Sequence, residues 1–145
     1  MINIYVDGSY NEKTKTGGYG AVILFGTSVP PRYVKGCVVD DLAMLHHNVA
    51  GECMAVYQAL HELDHIWALN RYPEPEVTIH YDYEGIEKWA TGDWKATKPF
   101  TQWYQNQMQI AYEKFDLKFV KVKAHSGDEW NDKADRLAKE ACGNA

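Results

Sequence analysis

The sequence predicts one α/β domain built on a five-stranded mixed sheet, in which three antiparallel strands are followed by two parallel ones and helices flank the sheet. Three observations predict it. β-rich segments separated by turns fill the first third, a 3.6-residue apolar period begins near Gly51, and short strands then alternate with helical segments. A sheet covered by helices buries such a pattern. The length of 145 residues fits a single domain over 1–145.

The first third of the chain predicts a meander of three strands. Alternating apolar residues run straight into Asp7, and a polar stretch separates this segment from the next, which opens at Gly17. Pro30 and Pro31 delay the third strand, because proline cannot donate a hydrogen bond to a sheet. The predicted elements in this region are a strand at 2–6, a turn at 11–16, and strands at 19–25 and 32–39.

The rest of the chain predicts helices that alternate with two strands. A long amphipathic helix begins near Gly51 and ends before Pro73. Its apolar stripe comprises Cys53, Val56, Tyr57, Leu60, Leu63 and Trp67. The elements predicted after it are a strand at 77–81, a short helix to about residue 90, a helix at 102–114, a strand at 118–123 and a helix at 129–141.

Composition excludes several classes of protein. The 15 basic and 20 acidic residues give a net charge of −5, which excludes a generally basic nucleic-acid coat but not a local basic groove. The three cysteines form no CxxC pair, so we expect neither a disulfide framework nor a zinc knuckle, and a reducing compartment fits. No apolar run has the length of a membrane span and no signal peptide begins the chain. We therefore expect a soluble, cytoplasmic monomer.

Two aspartates occupy equivalent positions after short apolar segments. Asp7 ends Ile-Tyr-Val-Asp, and Asp82 ends Ile-His-Tyr-Asp. If the two strands are parallel neighbours joined by a helical crossover, these side chains lie about one strand spacing apart, roughly 4.8 Å. The alternative is ordinary, because an Asp after a strand is often a turn or cap residue.

Two further acids lie on predicted helices. The ordinary alternative for Glu52 is a favourable charge near a helix N-terminus, and the ordinary alternative for Asp135 is a solvated position on a helix. If both converge with the two aspartates, mutual repulsion raises their pKa values unless cations neutralise them. Carboxylate oxygens select Mg²⁺ or Mn²⁺, and two such ions can activate water and stabilise a leaving oxygen in phosphodiester hydrolysis. The pattern alone does not bring the four acids together.

Five motifs occur in an order that resembles type 1 ribonuclease H over essentially the whole chain. This resemblance implies that the four acids come together. The motifs are Asp7-Gly8-Ser9, Gly17-Gly18-Tyr19-Gly20, Asn48-x-x-x-Glu52, Asp82, and His125-Ser126-Gly127 followed by Asn131-x-x-x-Asp135. Many relatives have Ser after the third acid, whereas Tyr83 follows here, as in the bacterial branch often fused to a hybrid-binding module. That module is not expected, since the chain starts at the first strand.

The resemblance implies an endonuclease that hydrolyses the RNA strand of RNA–DNA hybrids and leaves 3′-hydroxyl and 5′-phosphate ends. Asp7, Glu52, Asp82 and Asp135 would hold two Mg²⁺ or Mn²⁺ ions. His125 would assist proton transfer or product release, as suits a side chain that titrates near neutrality. An exposed loop histidine is the alternative for His125.

The resemblance also implies which residues touch the hybrid. Discrimination of RNA requires contacts to 2′-hydroxyls in the shallow minor groove, and the matching positions are Gly8, Ser9, Asn48 and Asn131. Asn48 can equally cap the long helix. Basic and aromatic residues interleave over 89–104, as in a groove that follows a phosphate backbone, although buried aromatics with solvated lysines explain this segment as well. His46 and His47 are expected in a loop.

Other functions were weighed against this one. The helical pattern His61-Glu62-x-x-His65 matches the HExxH of zinc proteases, but both histidines lie on the polar face and no third ligand motif follows. A catalytically silent nucleic-acid-binding domain of the same fold is a second alternative. Four retained carboxylates disfavour it, because a binding domain gains affinity by losing negative charge near phosphates. A DNA-cutting relative is a third, and the segment from His125 to Asp135 argues against it.

Overall fold

The computed structural model describes residues 1–26, 29–38, 40–67, 75–123 and 128–144, with the side chains of Asp40 and Trp67 excepted. Five strands and five helices lie in this part of the chain. In chain order they are β1 (Ile2–Asn11), β2 (Thr16–Leu24), β3 (Arg32–Val38), α1 (Asp40–His46), α2 (Asn48–Trp67), β4 (Glu76–Tyr81), α3 (Gly85–Thr91), α4 (Pro99–Lys114), β5 (Asp116–Lys121) and α5 (Glu129–Cys142).

The strands form one mixed sheet in the order β3-β2-β1-β4-β5. β1 is central, antiparallel to β2 and parallel to β4, and β4 is parallel to β5. This confirms the predicted fold class. Side chains alternate along β1, so Ile2, Ile4 and Val6 are buried in the core beneath α2. On the opposite face Val22 packs with Ala134 and Leu137 of α5.

Two glycines allow helices to lie directly on the central strands. A Cβ on Gly8 would lie 2.3 Å from the backbone oxygen of Asn48 and the nitrogen of Glu52, so no larger residue fits between β1 and α2. A Cβ on Gly20 would lie 2.4 Å from the backbone oxygen of Ala134 on α5. These approaches place the two acid-bearing helices on opposite faces of the same strand pair.

The structure corrects two predictions. Asp7 does not end a strand, because the pairing of β1 with β2 continues to Asn11 opposite Thr16. The pairing of β1 with β4 stops earlier, at Tyr5 opposite His80, so Asp7 lies two residues beyond the last pair of these strands. The prediction of a loop at His46 and His47 was also wrong for His46, which ends the short helix α1.

A reversal at His47 separates α1 from α2. His47 has a φ of 51°, in the left-handed region that breaks a helix, and its ring stacks on Tyr10 with centroids 4.5 Å apart. The helical signal of α1 is hard to read because the element has only seven residues. No helix in the described ranges combines the length and apolar character needed to cross a membrane.

Candidate active site

The first two predicted acids meet at the edge where β1 and β4 separate. Asp82 directly follows Tyr81, the last residue of β4, as predicted. Asp7 lies two residues beyond the last paired position of β1 and β4, and its Oδ1 accepts the N–H of Gly8 at 2.9 Å. The strands are parallel neighbours, so the predicted proximity of these side chains follows from the sheet itself.

Glu52 connects α2 to this edge. Its side chain lies among buried residues, with only 4% of the residue exposed. Oε1 accepts the backbone N–H groups of Asp82 at 2.7 Å and Tyr83 at 3.2 Å. The carboxylate therefore fixes the turn after β4 relative to the first turns of α2.

Asp135 approaches from the other face of the sheet on α5. The helix is capped by Asp128, whose Oδ1 accepts the N–H groups of Trp130 and Asn131 at 2.9 and 3.1 Å. Asp135 lies close enough to the Asp7 carboxyl to raise its pKa, and Oδ2 of Asp135 lies 3.0 Å from Nζ of Lys139. All four predicted acids thus belong to one cluster.

Burial and mutual repulsion shift two of these carboxyls. Burial is the largest cause that raises the pKa of Asp7 to about 7; the neighbouring Asp135 and Asp82 add to it, and the Gly8 N–H opposes it. Burial also raises the pKa of Glu52 to about 8, although the N–H groups of Asp82 and Tyr83 favour its charged form. The cluster is short of positive charge, as a cation site is before its cation binds.

A pocket of about 380 Å³ opens over the cluster. Its lining comprises Asp7, Gly8, Asn48, Val49, Glu52, Asp82, Tyr83, Glu84 and Lys121. Three of the four predicted acids face this space, and Asp135 joins them through Asp7. Among the described residues that line the pocket, a phosphodiester would meet three buried or half-buried acids, Glu84 and one lysine, Lys121.

The donor set fits hard divalent cations, because oxygen ligands select Mg²⁺ or Mn²⁺. In the described ranges no three His, Cys, Asp or Glu side chains are grouped to hold a metal ion as they stand. Lys139 pairs with Asp135, and two backbone N–H groups donate to one oxygen of Glu52.

The predicted substrate-contacting residues differ in exposure. Asn48, the first residue of α2, is exposed at the pocket. Gly8 lines the pocket and is buried against α2. Ser9 is only 7% exposed, and its hydroxyl accepts a hydrogen bond from the Asn144 amide at 2.9 Å. Asn131 is buried in the first turn of α5. His125 lies outside the described residues.

The aromatic residues of segment 89–104, and Tyr83 just before it, are partly in the core and partly on the surface. Phe100 and Tyr104 are buried, as the core explanation requires. Tyr83, Trp89 and Trp94 instead form a cluster with ring centroids 5.8 to 6.3 Å apart, in which Trp94 meets both other rings edge-on; Tyr83 and Trp94 are 38% and 36% exposed. This exposed cluster adjoins the acidic pocket through Tyr83.

The HExxH residues of α2 are engaged elsewhere. Glu62 forms an ion pair with Arg32, so it is not oriented as the base of a protease. The ring of His61 stacks on Tyr57, and His65 is exposed. These contacts are those of a helix surface, as the polar-face argument indicated.

Two lysines at the site, Lys139 and Lys121, belong to none of the motifs in the sequence. Lys139 follows Asp135 by four residues, and that helical spacing is a readable signal for an ion pair. Lys121 lines the pocket because it pairs with Tyr81 in the parallel register of β4 and β5. No local pattern carries that register, so Lys121 became identifiable only from the fold.

Comparisons with known proteins show the family to which the chain belongs. The family model described as RNase H matches residues 1–143. The ribonuclease H of Syntrophomonas wolfei is 30% identical over 97% of this chain and 94% of its own length. The ribonuclease H of a Wolbachia strain from Drosophila simulans is also 30% identical, with the same coverage.

Solved structures share the fold. LC11-RNase H1 in complex with an RNA/DNA hybrid matches with a TM-score of 0.78 and 22% identity, over 99% of this chain and 97% of that one. The RNase H1 of the halophilic archaeon Halobacterium salinarum matches with a TM-score of 0.70 and 20% identity, over 99% and 98%. At such identities the likeness concerns the fold alone.

Proposed function

Because the chain belongs to the ribonuclease H family, we propose that it is an endonuclease that hydrolyses the RNA strand of RNA–DNA hybrids. The observation that carries the proposal is the meeting of Asp7, Glu52, Asp82 and Asp135 at the end of β4, from two strands and from helices on opposite faces of the sheet. Burial, together with repulsion within this cluster, raises the pKa values of Asp7 and Glu52, and a bound cation would offset this cost of ionisation.

The proposed cofactor is a pair of Mg²⁺ or Mn²⁺ ions held by these four acids. Bound there, the ions would activate the attacking water and stabilise the leaving 3′-oxygen, giving 5′-phosphate and 3′-hydroxyl ends. Asp7 is the central ligand in this proposal, because it contacts Asp135 on one side and shares the pocket with Asp82 on the other. Glu52 fixes the position of Asp82 through the backbone N–H that it accepts.

The protein's other residues bind and orient the hybrid. Asn48 is exposed at the pocket and is proposed to contact a 2′-hydroxyl, and Gly8, Ser9 and Asn131 are proposed as further substrate contacts. The exposed rings of Tyr83 and Trp94 offer a surface on which a sugar–phosphate backbone can lie. His125 is proposed to move a proton or assist product release.

The proposal extends to organisation and location. One catalytic domain over residues 1–145 acts as a monomer in the cytoplasm. Cys37, Cys53 and Cys142 are all free, which supports a reducing compartment. Light scattering of the purified protein tests the monomer, and a dimeric mass would contradict it.

One substrate panel tests the activity. Labelled RNA–DNA hybrid, duplex DNA, duplex RNA and casein are each incubated with Mg²⁺, Mn²⁺, Zn²⁺ or a chelator. We expect cleavage of the hybrid alone, with Mg²⁺ or Mn²⁺, and its loss by at least about 100-fold in Asp7→Asn and Asp82→Asn. Circular dichroism checks that both variants fold.

Asp116→Asn is the matched control. Asp116 is exposed at the start of β5, at the opposite end of the sheet from the acidic cluster, so its removal leaves cleavage unchanged. Hybrid cleavage undiminished in Asp7→Asn would contradict the proposal. Zinc-dependent proteolysis of casein would instead favour the HExxH residues.

A further inference from the structure

Of the described residues that line the acidic pocket, one has a cationic side chain. Lys121 ends β5 and shares the pocket lining with Asp7, Glu52, Asp82 and Glu84. Its backbone position is fixed, because Lys121 pairs with Tyr81 in the sheet and the N–H of Val122 donates to the Tyr81 oxygen at 2.7 Å. Lys121 therefore lies beside the turn that carries Asp82.

The alternation of β5 explains why this side chain reaches the pocket. Leu117 and Phe119 face the core on the side of the sheet to which Tyr81 also points, and Lys121 is next in that row. Lys118 lies in the opposite row and is exposed on the other face. The two lysines are thus close in sequence but sit on opposite faces of the same edge strand.

Lys121 has no ionic partner among the described residues. No carboxylate in the described ranges lies within 4.0 Å of its Nζ, whereas Lys139 pairs with Asp135 and Lys114 pairs with Asp64. An exposed ammonium with three free donors, at the rim of a pocket whose other charges are negative, is suited to an incoming anion. The anion that the proposed function brings to this pocket is a phosphate of a nucleic-acid strand.

We propose that Lys121 binds a phosphate of the strand that occupies the acidic pocket and positions that strand for cleavage. The inference rests on the proposed function and adds a residue to it. The carboxylates repel a phosphodiester that is not held by cations, and Lys121 supplies a positive charge at the end of β5, beside the turn that carries Asp82. The contact between Lys121 and the phosphate forms when the hybrid binds, so it contributes to the affinity of the protein for the hybrid.

Binding of the hybrid under varied salt tests the contact directly. Fluorescence anisotropy measures the Kd of a labelled hybrid for Asp135→Asn and for Asp135→Asn/Lys121→Met, with Mg²⁺ present, between about 50 and 200 mM NaCl. We expect Lys121→Met to weaken binding about three- to tenfold and to reduce the slope of log K against log salt by about one phosphate contact. Lys121→Arg restores the slope, because it keeps the charge.

Kinetics in the otherwise unaltered protein provide a second measurement. We expect Lys121→Met to raise KM with kcat nearly unchanged, since a phosphate held equally in the bound and transition states affects binding alone. Lys118→Met is the matched control on the same strand and leaves Kd, slope and KM unchanged. Thermal unfolding confirms that both variants are folded.

The outcomes separate this inference from the proposed function. If the unaltered protein cleaves hybrid but Lys121→Met keeps its salt slope and KM, Lys121 has no phosphate contact and the inference is wrong. If Lys118→Met weakens binding as much, the effect is general charge and the inference is also wrong. If the unaltered protein does not cleave hybrid, the proposed function itself fails.

Discussion

Oε1 of Glu52 accepts the backbone N–H of Asp82 at 2.7 Å, so one candidate metal ligand holds the peptide that carries another. The same oxygen also accepts the N–H of Tyr83 at 3.2 Å. Glu52 thus has two separable properties, an acceptor that orders the turn after β4 and a negative charge in a crowded acidic site. Substitutions that remove one property or both give the first prediction.

Glu52→Gln keeps the acceptor and removes the charge, whereas Glu52→Ala removes both. We expect both variants to lose hybrid cleavage by at least about 100-fold, because each loses a carboxylate ligand. Only Glu52→Ala leaves the Asp82 and Tyr83 N–H groups without their acceptor, which lowers the free energy of unfolding by about 1–3 kcal/mol. Urea denaturation in a chelator measures the difference. Equal stability of the two variants would show that the turn does not depend on this oxygen.

The metal-free protein is expected to lose stability as pH rises. The pKa of Asp7 is raised from 3.8 to about 7 and that of Glu52 from 4.5 to about 8. Between these values the folded state binds more protons than the unfolded state, so the contribution of each carboxyl is present at low pH and lost as pH rises through its folded pKa. We expect the free energy of unfolding to fall between about pH 4 and 8 in a chelator.

Asp7→Asn should flatten this pH profile, and Mg²⁺ should reverse it. The variant has no carboxyl to ionise at that position, so its stability relative to the unaltered protein increases toward about pH 8. Added Mg²⁺ stabilises the unaltered protein more at about pH 8 than at about pH 5, since it binds the ionised cluster. Asp116→Asn serves as the control and should follow the unaltered profile. If the free energy of unfolding rises with pH in both Asp7→Asn and the unaltered protein, the explanation by the raised pKa values of the buried acids is wrong.

Gly8→Ala should separate α2 from β1. The new Cβ would lie 2.3 Å from backbone atoms of α2, which cannot move aside as a flexible side chain can. We expect a loss of about 3 kcal/mol or more in the free energy of unfolding, measured by urea denaturation, together with loss of cleavage. Gly92→Ala is the comparison, since nothing lies within 4 Å of its Cβ position and only its φ of 87° opposes the change, at about 1–2 kcal/mol. Similar losses in both variants would show that the close approach is not what limits position 8.

His125→Ala is expected to slow turnover without abolishing it. A positioned proton-transfer group contributes about 10²-fold at the lower end of its range, while the metal-binding acids remain in place. Steady-state kcat and KM on labelled hybrid measure the effect, and His65→Ala, exposed on α2, provides the control. An unchanged kcat would leave His125 without a catalytic role.

The sequence by itself determined the order and type of most elements and the identity of the acids. Alternation of apolar residues and the 3.6-residue period are local properties, so β2, α2, β4 and α5 could be predicted to within a few residues. The resemblance to ribonuclease H added the expectation that Asp7, Glu52, Asp82 and Asp135 act together. The short helix α1 escaped prediction, because seven residues give too little periodicity to read.

Only the tertiary structure decided what surrounds each acid. The pKa of Asp7 depends on Asp135, which arrives on a helix across the other face of the sheet, and on burial that no local pattern encodes. The position of Lys121 depends on the register between two parallel strands, and a shift of one residue would turn its side chain to the opposite face. Contacts between residues distant in sequence are fixed by packing and pairing of whole elements, and the chemistry of this pocket consists of such contacts.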